Sequence, residues 1–242
     1  MRVSVITVCL NAEETIEDTI KSVIHQKYHE LEYLIIDGQS TDKTLDIVSK
    51  YREIPFVKVI SQKDTGLYNA MNYGVKQCKG DYIVFLNSGD VFVDENVLMH
   101  VMEHARGEFV YGNVIRKYKG KMILEKYAGR QKLFWLMLIG KMPCHQAIFV
   151  KRELMSNYMF DETFTICADF DFFVRVLKNK VYTQYVNITV SKVDCVNGIS
   201  SQQSNIDIMR KEDDRSILKN FPILYICVYI PKWVVRMLKH GN

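Results

Sequence analysis

Residues 3–9 read Val-Ser-Val-Ile-Thr-Val-Cys, a β-rich and almost wholly apolar stretch. Such a run is typical of a strand buried on both faces, as strands are in a parallel sheet covered by helices. Asn11 then offers a helix cap with Glu14 as its capping-box partner, and apolar residues recur at helical spacing through 16–24. The opening of the chain therefore predicts a strand, a turn and an amphipathic helix.

The alternation of strand and helix continues through the first 90 residues. β-rich apolar segments at 31–36, 57–60 and 81–86 predict three further strands. Helical spacing of apolar residues follows at 45–51 and 66–77. Strands and helices in this order are the βαβ pattern of a parallel sheet. We therefore predict an α/β fold with a central, mostly parallel sheet flanked by helices, Rossmann-like in arrangement.

The second half of the chain is less regular. Its patterns predict helices at 94–105, 169–178 and 205–219, a strand and hairpin around Gly120 within 109–127, strands at 147–150 and 181–193, and a short apolar segment at 130–139. No internal repeat and no linker rich in Gly, Ser or Pro divides the sequence, so we expect a single domain.

The composition is that of an ordinary globular protein. Of the 242 residues, 48% are apolar and 25% charged, and the formal net charge of +4 is too small to indicate a nucleic-acid-binding surface. The six cysteines are scattered without metal-type spacing, and several lie in apolar runs, such as Cys9 and Cys227. We interpret them as small buried residues in a reducing compartment. The sequence has no signal-peptide pattern and no run of 18 apolar residues, which favours a cytoplasmic protein without a membrane span.

Three polar clusters fall where predicted strands end, at 11–14, 37–42 and 87–90. Each cluster alone is more often a helix cap or a turn, because Asn, Asp and Ser are favoured there. Ligands of open parallel sheets bind beyond the carboxyl ends of the strands, so the joint placement predicts a ligand site at that edge. The sequence contains neither G-x-G-x-x-G after the first strand nor a G-x-x-x-x-G-K-[ST] loop, which argues against classical dinucleotide or phosphate-loop binding.

Six motifs extend this pattern along the chain. They are Val-Ser-Val-Ile-Thr-Val-Cys-Leu-Asn-Ala-Glu at 3–13, Ile-Ile-Asp-Gly-Gln-Ser-Thr-Asp at 35–42, Gln-Lys-Asp-Thr-Gly-Leu-Tyr-Asn-Ala-Met-Asn-Tyr-Gly at 62–74, Gly-Asp-Tyr-Ile-Val-Phe-Leu-Asn-Ser-Gly-Asp at 80–90, Cys-His-Gln-Ala at 144–147 and Ala-Asp-Phe-Asp-Phe-Phe-Val-Arg at 168–175. In order and spacing they resemble the family-2 glycosyltransferases, inverting enzymes of the GT-A type, over residues 1–215. The Lys-Asp-x-Gly-x-Tyr-x-Ala-Met-Asn segment at 63–72 is similar to the subgroup that builds bacterial capsule, lipopolysaccharide and exopolysaccharide.

The resemblance implies a reaction and a division of the chain. A nucleotide-diphosphate sugar, in the first place a UDP-sugar, donates its sugar with inversion to a hydroxyl of a glycan or lipid-linked acceptor. The glycosyltransferase domain covers 1–220, with a nucleotide-sugar-binding half at 1–93 and an acceptor half at 94–220, and a tail follows at 221–242. Such an enzyme must hold the nucleotide, offset the charge of the leaving diphosphate and deprotonate the acceptor.

The resemblance also implies roles for single residues. Asp169 matches the catalytic base, Asp90 the last aspartate of the motif that holds a divalent cation (Mn²⁺ or Mg²⁺), and Asp37 the aspartate that hydrogen-bonds uracil. Further nucleotide-binding residues are Thr7, Leu10, Asn11, Glu13, Lys63 and Asp64, and residues near donor and acceptor are Asn87, Ser88, His145, Gln146 and Ser200.

Three of these assignments have an alternative. Asp37 is a candidate cap of the Gly38 turn. Asp171 is the alternative base, although its i,i+4 spacing favours pairing with Arg175. Asp90 has a simple turn aspartate as its alternative. Segment 87–90 holds one carboxylate where many members of the family have two, which predicts weak metal binding in the absence of nucleotide.

Two segments are interpreted as accessory to the site. Residues 221–239 are apolar and aromatic and then basic, too short to span a bilayer. Trp233 beside Lys232 and Arg236 favours a segment on anionic lipid at the inner face of the cell membrane, with packing on the core or on a second copy as the alternative. The loop 197–201 is similar to the family's Gly-Ser lid, with an ordinary loop as the alternative.

Two other functions fit part of the pattern. A sugar nucleotidyltransferase also handles nucleotides on a parallel sheet with a metal, but it is expected to carry a basic Gly-rich loop where this chain has residues 11–14. A non-catalytic nucleotide-sugar-binding protein suits the reduced metal motif. The joint presence of Asp37, Asp90 and Asp169 argues against it.

Overall fold

The computed structural model describes residues 1–118, 120–127, 130–194 and 203–227, except the side chains of 130–132 and 203. Within these residues nine strands form one sheet, and α-helices lie between or after them. The strands are β1 (Val3–Cys9), β2 (Leu31–Asp37), β3 (Val57–Ser61), β4 (Tyr82–Phe85), β5 (Val91–Phe92), β6 (Phe109–Tyr118), β7 (Lys121–Glu125), β8 (Ile148–Lys151) and β9 (Thr183–Asp194). The helices are α1 (Ile16–Ile24), α2 (Thr44–Ser49), α3 (Leu67–Gln77), α4 (Val97–His104), α5 (Arg130–Leu138), α6 (Arg152–Tyr158), α7 (Ala168–Lys178) and α8 (Ile206–Asn220).

The first half of the chain forms a parallel sheet in the order β3-β2-β1-β4. Every residue of β1 and of β2 is buried, which explains their unbroken apolar pattern. Helix α3 packs closely on β1, because a Cβ atom added at Gly74 would lie only 2.7 Å from the Ile6 side chain. The strands and helices predicted for this half are confirmed.

Beyond β4 the sheet continues as β8-β6-β9-β5 and becomes mixed. Strand β8 is antiparallel to both β4 and β6, whereas β6 and β9 run parallel. Strands β6 and β7 form the expected hairpin around Gly120, whose φ of +76° suits glycine. On this half α7 and α8 pack against each other, which brings α8 next to the start of α7.

Some local predictions need correction. Asn11 does not cap α1, which begins at Ile16 after Thr15; it has a left-handed φ of +49°, and its side chain bonds to the loop after β2. The tertiary contact between the two loops therefore overrides the local capping preference. Strand β5 and helix α6 were not predicted, because two residues of strand and seven of helix are too short to show a clear period.

The cysteine prediction is confirmed in part. Cys9, Cys78, Cys144 and Cys167 are buried, whereas Cys227 is exposed. The apolar pattern around Cys227 misled the interpretation, because Ile226 and Cys227 lie on the surface. Among the described residues, no helix is long and apolar enough to cross a membrane.

Candidate active site

The polar loops after β1 and β2 are joined at the carboxyl edge of the parallel sheet. The side-chain oxygen of Asn11 accepts a hydrogen bond from the N–H of Thr41 at 2.9 Å, and the N–H of Asn11 donates to the Ser40 hydroxyl at 2.9 Å. The Glu13 carboxylate accepts a hydrogen bond from the N–H of Lys43, also at 2.9 Å. Asn11 and Glu13 thus tie the two loops together, and both remain exposed at this edge.

Asp37, at the end of β2, is fully buried and turned into its own loop. Its carboxylate accepts hydrogen bonds from the hydroxyls of Ser40 at 2.5 Å and Ser61 at 2.7 Å, and from the N–H of Gln39 at 3.0 Å. These are the contacts of the turn cap that the sequence left as the alternative. This geometry does not support the expected direct contact of Asp37 with a uracil ring.

Thr7 also faces away from the edge. Its side chain is fully buried within β1, and its hydroxyl donates to the carbonyl of Leu86 at 2.7 Å and lies 3.0 Å from the Tyr33 hydroxyl. Thr7 therefore connects neighbouring strands, and its expected place in the nucleotide pocket is not supported.

The Asp64 carboxylate lies next to Gly38, at the end of β2. A Cβ atom added at Gly38 would lie 2.6 Å from Asp64 Oδ2 and 3.4 Å from the Leu10 side chain, so the missing side chain at Gly38 makes room for both. The other carboxylate oxygen of Asp64 accepts a hydrogen bond from the N–H of Gly66 at 3.0 Å. Leu10 is 57% exposed and Lys63 is also exposed. An apolar side chain and a carboxylate therefore face solvent together at the end of β2.

Asp169 lies in the first turn of α7 and contacts His145 and Tyr68. His145 Nδ1 is 3.2 Å from Asp169 Oδ2, and the Tyr68 hydroxyl is 3.1 Å from Asp169 Oδ1. The side-chain amide of Asn87 lies 3.2 Å from His145 Nε2. A neutral His145 with its proton on Nδ1 satisfies both contacts, accepting from Asn87 and donating to Asp169. The side chains of His145 and Asp169 are 24% and 22% exposed, so a ligand can reach both.

Asp171, the alternative base, is enclosed. It is fully buried; one carboxylate oxygen accepts a hydrogen bond from Arg175 Nε at 2.7 Å and the other from the Ser216 hydroxyl at 2.8 Å. The predicted i,i+4 pair is therefore confirmed. With no exposed surface, the Asp171 carboxylate does not reach a substrate in this arrangement.

The loop after β4 carries the candidate metal ligands. Asp90 is buried, which raises the pKa of its carboxyl to about 6, and Oδ2 accepts a hydrogen bond from Gln146 Nε2 at 2.7 Å. The side-chain oxygen of Asn87 is buried without a hydrogen-bond partner, and the Ser88 hydroxyl bonds that of Thr15 at 2.8 Å. In the described part of the chain, no group of three or more His, Cys, Asp or Glu side chains is arranged to hold a metal ion.

Two residues near Asp169 were missed by the sequence reasoning. Tyr68 belongs to the 63–72 motif, so its place in that motif could have marked it as a site residue. Asp213 of α8 had no signal, because only the packing of α8 on α7 brings it near. Burial and the charges of Asp169 and neighbouring acids raise the pKa of the Asp213 carboxyl to about 7. The predicted lid at 197–201, with Ser200, lies outside the described residues.

The sheet with polar loops at its carboxyl edge and a carboxylate at the start of a facing helix has the fold of the GT-A type. The family model of Glycosyl transferase family 2 matches residues 4–173, and the chain belongs to this family. The match spans all site residues from Thr7 to Asp169 and ends within α7. The resemblance inferred from the sequence motifs is thereby confirmed.

Similar proteins agree with this assignment. A PGL/p-HBAD biosynthesis glycosyltransferase from Mycobacterium bovis (strain BCG / Pasteur 1173P2) is 27% identical over 249 residues, which cover 95% of this chain and 90% of that protein. Among solved structures, S. aureus TarS 1–349 in complex with UDP-GlcNAc has a TM-score of 0.70 at 20% identity, covering 91% of this chain and 68% of that one. The mannosyltransferase PcManGT from Pyrobaculum calidifontis, in complex with GDP-Man and Mn²⁺, has a TM-score of 0.69 at 17% identity, covering 94% and 69%. At these identities the two structures show the fold alone.

Proposed function

We propose that the protein transfers a sugar from a UDP-sugar to a hydroxyl of a glycan or lipid-linked acceptor, with inversion, during synthesis of a bacterial surface polysaccharide. The observation that carries the proposal is the Asp169 carboxylate, partly exposed and held between His145 and Tyr68. The name of the mycobacterial relative and the UDP-GlcNAc bound to TarS support the surface-glycan product and the UDP donor.

In this mechanism Asp169 accepts the proton of the acceptor hydroxyl as the sugar leaves the diphosphate. Nδ1–H of His145 donates to one carboxylate oxygen, and the Tyr68 hydroxyl, whose one proton is shared with the carbonyl of Ile166, contacts the other, so the base keeps a fixed direction. Asn87 donates to Nε2 of His145 and selects the tautomer that faces Asp169. Attack from the face opposite the diphosphate inverts the anomeric carbon.

The nucleotide-binding half at 1–93 holds the base and ribose in this proposal. Asp64 accepts hydrogen bonds from the base or ribose through the space left by Gly38, and Leu10 packs against the ring. Asn11 and Glu13 form the joined loops beneath the nucleotide, and Asp37 keeps their shape from within.

Asp90 is proposed to hold Mn²⁺ or Mg²⁺ together with the diphosphate of the donor. The residues present fit such a cation in part, because the Asp90 carboxylate and the unpartnered Asn87 amide oxygen are hard oxygen ligands. A bound cation supplies Lewis-acid stabilisation of the leaving diphosphate. With so few protein ligands, cation binding is expected to require the nucleotide; the Mn²⁺ of PcManGT supports a metal in this fold.

The half at 94–220 is proposed to receive the acceptor, at the cytoplasmic side of the cell membrane. Segment 221–239 is proposed to contact the lipid surface, and α5 extends that apolar surface. Trp135 is 66% exposed. Phe134 packs edge-on against Phe221 with ring centroids 6.4 Å apart, so α5 and the start of the tail adjoin.

The proposal is tested with the full chain, Mn²⁺ and UDP-GlcNAc or UDP-glucose. UDP with Mn²⁺ should raise the melting temperature by mass action, and slow hydrolysis should release UDP. The Asp169→Asn variant should release UDP about 10²- to 10⁴-fold more slowly, because it lacks the base, while keeping the UDP-induced thermal shift. Normal turnover by Asp169→Asn would contradict the base assignment.

The same assay separates the two other functions. When pyrophosphate is added, a sugar nucleotidyltransferase would convert the UDP-sugar to UTP and sugar 1-phosphate, which a glycosyltransferase does not form. A non-catalytic binder would show the thermal shift without any release of UDP.

A further inference from the structure

The Glu212 carboxylate, on α8, holds the three backbone N–H groups that lead into α7. They belong to Thr165 at 2.6 Å, Ile166 at 3.0 Å and Cys167 at 2.9 Å. Glu212 is buried, although glutamate is among the residues most seldom buried in proteins. Three N–H donors to one carboxylate are charge-assisted hydrogen bonds, which are stronger than neutral ones and fix geometry.

The start of α7 depends on contacts from elsewhere in the fold. Cys167 occupies the N-cap position and makes no side-chain capping bond. The Tyr68 hydroxyl donates to the carbonyl of Ile166 and also contacts Asp169. The segment 165–167 is therefore held by Glu212 through its N–H groups and by Tyr68 through a carbonyl.

Helix α8 makes a second contact with α7 one turn further along. The Ser216 hydroxyl donates to Asp171 at 2.8 Å, and Asp171 pairs with Arg175. Asp169 lies between the segment bound by Glu212 and the residue bound by Ser216. Both contacts, that of Glu212 and that of Ser216, come from α8, which lies beyond the family match at 4–173.

We propose that Glu212 is a positioning residue for catalysis: it fixes the backbone ahead of α7 and so aims the Asp169 carboxylate at the acceptor hydroxyl. The inference rests on the proposed role of Asp169 as the base. A displacement of about 1 Å in a reacting group can lower a rate about 100-fold. The buried charge acts through three amide hydrogen bonds and touches no substrate.

The test replaces the carboxylate by a neutral amide of the same size. Glu212→Gln leaves at least one N–H facing an NH₂ group, and kcat for UDP release from UDP-GlcNAc with Mn²⁺ should fall about ten- to a hundredfold. The KM for UDP-GlcNAc and the thermal shift with UDP should stay within about twofold of wild type, because the nucleotide loops are untouched. Asp207→Asn is the matched control: it removes a carboxylate from α8 whose side chain is 84% exposed, and activity should not change.

The split between kcat and KM distinguishes positioning from simple stabilisation. A lower melting temperature with unchanged kcat in Glu212→Gln would overturn the proposal. If that variant does not fold, Glu212→Asp keeps the charge but shortens its reach to the three N–H groups and decides by the same split; an unchanged kcat there would overturn the proposal. Wild-type protein without UDP release, or an Asp169→Asn variant as active as wild type, would instead overturn the proposed function and this inference with it.

Discussion

At the scale of the residue, burial separates the aspartates that are enclosed in the fold from those that solvent reaches. Asp37 and Asp171 are fully buried, and both oxygens of each accept hydrogen bonds from the protein. Asp64 and Asp169 lie at the edge of the sheet with part of their surface exposed. Because residue type is the same in all four, a motif alone does not tell which carboxylate is free to bind.

The Gly38→Ala substitution tests whether Asp64 contacts the nucleotide. The new methyl group would lie 2.6 Å from Asp64 Oδ2 and should displace that flexible carboxylate. We expect UDP affinity to fall about tenfold, a loss of about 1.4 kcal/mol, while the melting temperature of the free protein changes little. Isothermal titration with UDP and Mn²⁺ measures the affinity.

A double-mutant cycle supplies the control for this prediction. If Gly38→Ala acts through Asp64, then Asp64→Ala weakens UDP binding to a similar extent and the double variant is no weaker than Asp64→Ala. Fully additive losses would show that the two positions act independently and would contradict the proposed contact.

At the scale of the element, α5 adjoins the start of the tail, and both carry exposed apolar side chains. Trp135 of α5 and Ile139, just after that helix, are largely exposed, and Ile223 is 78% exposed. If these side chains form one patch, we propose that it is a contact surface, because large exposed apolar patches are unusual in a monomeric soluble protein. The basic residues that follow in the sequence, among them Lys232 and Arg236, favour an anionic lipid surface.

Deletion of residues 221–242 tests this surface. The truncated protein should lose sedimentation with vesicles that contain anionic phosphatidylglycerol, because it lacks both the apolar segment and the basic residues. Its thermal shift with UDP and Mn²⁺ should remain, since the nucleotide-binding half is unchanged. Vesicles of neutral phosphatidylcholine serve as the control for charge. Unchanged binding of the truncated protein to anionic vesicles would show that the tail is not the membrane contact.

At the scale of the whole molecule, packing of α8 on α7 collects acids around the candidate site. Burial first, and then the charges of Asp169, Asp214 and Glu212, raise the pKa of the Asp213 carboxyl from 3.8 to about 7. The folded protein therefore holds this proton more tightly than the unfolded chain does. As pH rises from about 4 to 7, ionisation of Asp213 lowers the free energy of unfolding.

Asp213→Asn should remove this pH-dependent loss. The melting temperature of the variant minus that of wild type should be at least about 2 °C higher at pH 8 than at pH 4. The size follows because 1 kcal/mol corresponds to about 2–4 °C in a protein of this size. Thermal unfolding followed by circular dichroism at both pH values measures the difference. Equal differences at pH 4 and pH 8 would show that the Asp213 pKa is not raised in the folded state.

The local patterns predicted the first half of the fold well. In β1 and β2 the apolar runs are continuous and the helices between them are amphipathic, so the period identifies each element. Strand β5 and helix α6 escaped prediction because they are too short to show a period.

The sequence by itself determined the class of this protein: the alternating periods specify a parallel α/β sheet, and the motifs from residue 3 to 175 specify the family. Only the tertiary structure decided which side chains meet. It turned Asp37 and Thr7 inward, brought His145 and Tyr68 to Asp169, and placed Glu212 beneath the start of α7. The physical reason is distance along the sequence. Periodicity and capping preferences act over a few neighbouring residues, whereas these contacts join residues that only the packing of the sheet and helices brings together.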